Sequence, residues 1–194
     1  MKFVATCVCL CVFSLFLSPL LAQTEHGFVI TGTIQGAKDG EVVKLYDLDA
    51  QKVLDSTQLS AGKFILRGRV EQPAACWLQC ENEYATIMVG DRSMTFRSPL
   101  KNMFLEHAAK GDKEQALISA MEKQQYPYNK RYMGALDSLM NKRYRDDADR
   151  DRLKDIFETY EDSAMKVYVE FGKRHADRLL WPGCPLSKQK ENTT

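Results

Sequence analysis

The chain has almost no net charge. Its 194 residues carry 27 Lys and Arg against 26 Asp and Glu, a formal balance of +1. A nucleic-acid footprint needs a basic excess on one face, and a membrane-surface patch needs a basic cluster, so this balance argues against both. Histidine is scarce. His26, His107 and His175 lie far apart, and no two share metal-ligand spacing on one element. A zinc site needs about four converging ligands, so no metal is expected, and no other cofactor is implied. His107 and His175 read instead as surface or cap residues. There is no glycine-rich phosphate loop, because Gly32-x-x-x-Gly36 falls in a strand pattern. No nucleophile elbow accompanies Asp55-Ser56, and that pair reads as polar residues bonding local backbone at a strand end. No Cys-x-x-Cys occurs, and no catalytic motif stands out.

The first stretch is a different matter. Met1-Lys2 gives a short positive start, Phe3 to Leu21 is mostly apolar, and Ala22 precedes polar Gln23. That is the layout of a secretory signal peptide over residues 1–22, with cleavage expected after Ala22. An uncleaved anchor is the alternative, since the apolar run approaches the ~20 residues that span a bilayer. Pro19 and the abrupt polar change favour cleavage, which leaves no stable membrane span. Cys7, Cys9 and Cys11 lie too early for a lipid-modified cysteine. With the signal removed, Cys76, Cys80 and Cys184 remain, an odd count that leaves at least one thiol free or paired between chains. Cys76 and Cys80 are four residues apart in a strand pattern, about 13 Å at ~3.3 Å per residue. A disulfide needs Cα atoms within ~7 Å, so these two read as small buried hydrophobes.

From Phe28 to Phe96 the chain alternates. Phe28, Ile30, Gly32 and Ile34 share one face. Phe64, Leu66, Gly68 and Val70 share another, with Lys63, Arg67 and Arg69 opposite. Period two is what a half-buried strand requires. Strands are expected over 27–35, 41–47, 52–58, 63–70, 75–80, 84–89 and 93–96. Asp39-Gly40 and Ala61-Gly62 lie between the early ones, and Asp-Gly supplies the positive φ of tight hairpins. About seven short strands at this density point to a sandwich or partly open barrel. The β domain is placed at residues 23–100.

After Pro99 the composition turns to helix formers. Asp112 is a candidate N-cap, with Gln115 in the capping-box position. Pro127 is expected to interrupt the helical pattern that follows. Tyr128, Tyr132, Ala135, Leu136, Leu139 and Met140 then repeat at helical spacing. Tyr126, Tyr128, Tyr132 and Tyr144, with Arg131 and Lys142, read as a packing stripe rather than a ligand-stacking surface. Residues 146–152 form a run of mixed charge, either a linker or the exposed first turns of a helix. Leu153, Ile156, Phe157, Tyr160, Ala164, Val167, Tyr168 and Phe171 make one apolar stripe over several turns. That stripe needs a partner surface. The helical spacer is placed at residues 101–181 and a disordered polar tail at 182–194. The fold class is therefore mixed, an antiparallel β-sandwich followed by a helical segment.

The spacing of Ile30-x-Gly32-x-Ile34, Asp39-Gly40, Leu45-Tyr46-Asp47, Leu54-Asp55-Ser56, Gly62-Lys63-Phe64 and Gly68-x-Val70-x-x-Pro73 resembles a domain of unknown function. That domain precedes TlpA-like thioredoxin domains in exported Gram-negative proteins. The resemblance implies a periplasmic or cell-envelope location and a protein partner or thioredoxin-like domain. It implies a non-catalytic accessory or binding role in a chain that stops before the catalytic domain. In such proteins the redox chemistry belongs to a Trp-Cys-x-x-Cys pair that this chain lacks. A thiol-disulfide component using Cys184, Cys76 or Cys80 is the alternative. Cys184 sits in Trp181-Pro182-Gly183-Cys184, but a lone thiolate without a resolving partner cannot cycle within one chain. A small-ligand binding module is a third reading, and it requires a polar-lined concavity on the sandwich.

Overall fold

The computed structural model describes residues 27–175. The proposed signal peptide and the tail with Cys184 lie outside them. Eight strands run in order: β1 (Phe28–Gln35), β2 (Val42–Asp47), β3 (Lys52–Gln58), β4 (Lys63–Gly68), β5 (Ala74–Cys80), β6 (Glu83–Val89), β7 (Ser93–Pro99) and β8 (Ala108–Lys110). A short helix α1 (Met103–Glu106) precedes β8, and two long helices follow, α2 (Lys113–Met140) and α3 (Asp147–Arg174). The strands form two four-stranded sheets, ordered β4-β1-β7-β8 and β3-β2-β5-β6. A β-sandwich followed by helices is thus the architecture. Among the described residues no helix is long and apolar enough to cross a membrane.

The alternation seen in the sequence supplies the core. Phe28, Ile30 and Ile34 of β1, Phe64 and Leu66 of β4, and Cys76, Leu78 and Cys80 of β5 all point between the sheets. The glycines in these strands make room for aromatic rings. Phe28 pairs with Gly68 and Gly32 with Phe64 across the antiparallel β1–β4 ladder. A Cβ on Gly32 would overlap the Phe64 ring, and one on Gly68 would overlap that of Phe28. Each large side chain is covered by the absence of its neighbour's.

Pairing departs from a simple meander. β1 and β2 lie in different sheets, so Asp39-Gly40 serves a crossover, not a hairpin. Ala61-Gly62 does make a tight turn: both residues have positive φ, and Ser60 and Lys63 exchange backbone hydrogen bonds of 3.0 and 2.9 Å. These are the features of a type I′ turn. β1 and β7 pair in parallel, which long-range packing decides and local alternation does not. β8 completes the first sheet inside the stretch whose composition marks it as helical. Three residues are too few to show a period.

Two of the four edge strands of the sandwich are stitched by side chains. β4 ends the first sheet, and Asp55 of β3 accepts the Arg67 N–H through Oδ2 at 2.7 Å and the Ser56 N–H through Oδ1 at 2.8 Å. β6 ends the second sheet. There Gln115 of α2 accepts the buried Met88 N–H through Oε1 at 2.7 Å. Edge N–H groups left open invite pairing with other chains, and buried ones cost stability.

Gln115 explains why the expected capping box is only half formed. Asp112 does cap α2, accepting the Gln115 N–H at 3.1 Å. The Gln115 side chain does not reach back to the cap. It is fully buried, and its Nε2 donates to Ser119 Oγ at 2.9 Å.

Pro127 does not interrupt the helix: α2 passes straight through it. The missing N–H and the ring clash cost ~3 kcal/mol in an isolated helix. Here both sides of Pro127 are held. Ile118 and Met121 pack on the sheet, Ala135 is buried, and Gln125 Nε2 donates to the Ala164 carbonyl of α3 at 3.0 Å. The charged run at 146–152 is the start of α3, with Asp146 accepting the Asp149 N–H at 2.8 Å. The apolar stripe of α3 finds its partner within the chain, lying along α2, where Tyr132 meets Phe157 edge-on.

Replacing Gln115 with Leu keeps the volume but orphans the Met88 N–H. Gln115→Leu is expected to lower unfolding free energy by about 1–3 kcal/mol, read as a lower denaturant midpoint. An unchanged midpoint would show that the edge bond is dispensable.

Candidate functional site

The outer face of the second sheet carries aromatic side chains that the strand register brings together. Tyr46 of β2 stacks near Trp77 of β5 at 6.3 Å between centroids. Trp77 meets Tyr84 of β6 at 5.2 Å, and Tyr84 meets Phe104 of α1 at 5.8 Å. The row ends at the wall of a cavity of about 690 Å³. Ala75, Thr86 and Met88 from the sheet, Phe104 to Lys110 from α1 and β8, and one side of α2 from Ile118 to Asn129 line it, with Leu48, Asp49 and Tyr168. This volume lies in the range of small-molecule sites.

The wall is held in place by specific bonds. Glu83 of β6 accepts the Met103 N–H at 3.2 Å, serving α1 where its own cap, Asn102, makes no side-chain bond. The Tyr126 hydroxyl of α2 donates to Glu106 Oε1 at 3.0 Å, tying the two sides of the cavity together.

His107 and Glu122 pair in the wall. Of the two places expected for His107, surface or cap, it takes the second: it is the C-cap of α1, with a side chain only 4% exposed. The ring stacks on Phe96 at 5.9 Å. Nδ1 lies 2.9 Å from the Met103 carbonyl, which only accepts, so Nδ1 carries a hydrogen. Nε2 lies 3.3 Å from Glu122 Oε1, an ion-pair separation without the alignment of a hydrogen bond. Burial by itself lowers the imidazole pKa. The Glu122 carboxylate and the Met103 and Phe104 carbonyls outweigh it, and the net shift is upward.

The cysteines lie elsewhere. Cys76 and Cys80 both face the core between the sheets and are free. Cys76 Sγ points to the Ala74 carbonyl at 3.7 Å, and Cys80 Sγ to Glu41 Oε2 at 4.0 Å. Burial, then the charges of Asp47 and Asp49, push the Cys76 thiol up to about 12. Burial, then Glu41 and Glu81, push Cys80 up to about 11. The thiolate is the reactive form, and neither position stabilises it. Among the described residues no three His, Cys, Asp or Glu side chains converge as metal ligands would. Of the tyrosines, Tyr132 packs against α3 and Tyr126 sits in the cavity wall. His175 caps α3.

Sequence reasoning missed the cavity because its parts come from β5, β6, α1, β8, α2 and α3. The available signal was small. His107 and Glu122 are separated by a turn and a strand whose fold the local pattern does not state.

Residues 28–118 match the family model described as Domain of unknown function (DUF4369). The match takes in the whole sandwich, α1, β8 and the first turns of α2, including Asp112, Gln115 and Ile118. No curated protein and no solved structure matches the chain.

Two outcomes are expected from this geometry. In the folded chain, iodoacetamide should leave Cys76 and Cys80 unmodified and label both in denaturant, as read by peptide mass mapping; labelling of either in the native state would show an accessible thiol. The second concerns pH. The folded-state pKa of His107 is above the ordinary ~6.5. Its pairing with Glu122 therefore contributes stability that is complete below about pH 6.5 and lost as pH rises through the higher folded value. Wild-type stability should fall between about pH 6 and about pH 9 by more than that of Glu122→Gln. Parallel profiles would remove the pair from the account.

Proposed function

We propose that this chain is a non-catalytic binding domain of a thioredoxin-like protein of the cell envelope, exported by the leader at residues 1–22. Its role is to hold a small molecule in the cavity between the second sheet and α1, β8 and α2. The carrying observation is the cavity itself: about 690 Å³, with more apolar than polar surface where the sequence reading expected a polar lining, and a half-buried ion pair in its wall. Such a combination of apolar surface with a few fixed polar groups is what small-ligand sites present. The thiol reading gains nothing from Cys76 and Cys80, which are buried and protonated. The leader supports export, and the resemblance of residues 28–73 supports the envelope setting.

The test uses the neutral fluorophore N-phenyl-1-naphthylamine with the full chain. Ala108 is exposed and lines the cavity, so Ala108→Trp should fill the cavity without disturbing the core. Saturable fluorescence enhancement is expected with the wild type and not with Ala108→Trp, at similar melting temperatures. No enhancement, or equal enhancement in both, would sink the binding reading.

A further inference from the structure

We propose that the cavity selects a neutral amphipathic molecule, with an apolar body and one hydrogen-bond-donating head such as an alcohol, whose donor is accepted by Glu122. The inference rests on the cavity being a ligand site and names what that site takes.

The body follows from the lining. Met88, Phe104, Ile118 and Met121 present apolar surface to the cavity. Two of the four are methionines, whose flexible, polarisable side chains adapt to an irregular apolar shape.

The head follows from the ion pair. His107 is covered, with Nε2 buried and without a hydrogen-bond partner. Glu122 is 29% exposed at its side chain and lines the cavity. A ligand therefore meets the Glu122 carboxylate, while the covered imidazole lies behind it. A carboxylate head would place a second negative charge beside Glu122, and like charges sharing a site are costly. An ammonium head would have to share Glu122 with His107, whose Nε2 already lies 3.3 Å from the same carboxylate. It would also carry its own desolvation cost. A neutral donor avoids both penalties and gains a charge-assisted hydrogen bond.

The other charged groups in the lining do not reverse this. Glu106 is engaged by the Tyr126 hydroxyl. Lys110 and Lys123 are exposed, and Asp49 opposes them in sign. Charges in solvent are screened by salt far more than a half-buried pair. His107 acts here as a positioning residue, because its Nε2 lies 3.3 Å from Glu122 Oε1 and holds that side chain in place.

The test compares 1-decanol, decanoate and decylammonium, each below its micellar concentration, with the full chain. Melting temperature and equilibrium dialysis are the readouts. Decanol should bind at least about tenfold tighter than either charged analogue. In Glu122→Gln the penalty on decanoate disappears, and its gap to decanol should shrink to within about threefold. Equal or tighter binding of decanoate or decylammonium to the wild type would overturn the head assignment. So would a gap that Glu122→Gln leaves unchanged. If none of the three binds while the naphthylamine does, the head assignment fails and the binding reading stands. If nothing binds, both fail.

Discussion

One buried amide joins the two halves of this molecule. Gln115 closes the N–H of an edge strand with its oxygen, and bonds Ser119 of its own helix with its nitrogen. A polar side chain with no exposure is tolerated only when its donors and acceptors are met. Meeting them here requires α2 to start against β6 and nowhere else. Asp112 fixes the same point from the helix side by capping that first turn. Once the start of α2 is set, Ile118 and Met121 fall onto Ala75 and Met88, and α3 can return along α2 to bring Phe171 to the same patch.

The cavity is a consequence of that placement. α1 and β8 complete the far side of the sandwich, while α2 leaves the sheet edge at its own angle, and the space between them is lined by both. The Tyr126–Glu106 bond and the His107–Glu122 pair span it. Each ties the C-terminal end of α1 to α2, so the walls belong to one packed unit. The family match ends at Ile118, within the first turns of α2. It therefore includes the anchor of α2 and one wall, and excludes Glu122. The acceptor assigned to the ligand head thus lies beyond the residues that the family model covers.

The sandwich itself rests on complementary pairs. Phe64 covers Gly32, and Phe28 covers Gly68, across one ladder. The aromatic ring takes the space that a Cβ would need, so these glycines act through size more than through backbone freedom. The cysteines fit the same description. At Cys76 and Cys80 the thiol is a small apolar filler, and burial, with nearby carboxylates second, keeps it protonated.

Local pattern determined most of the strands and their inward faces, because period two places burial directly on the sequence. It also determined the cap at Asp112, the tight turn at Ala61-Gly62 and the stripe of α3, since each depends on residues close in the chain. Tertiary structure decided the rest. Alternation does not say which strand lies beside which, so the parallel β1–β7 pair and the crossover at Asp39-Gly40 came only from packing. Proline at 127 breaks a helix standing alone, and contacts with the sheet and α3 overrode that preference. His107 was legible as a surface or cap residue, and it caps α1, but its burial depends on Phe96 and Glu122, which flank it from opposite directions in the chain. A site built from six elements has no local signature: its geometry exists only after long-range contacts have brought those elements together.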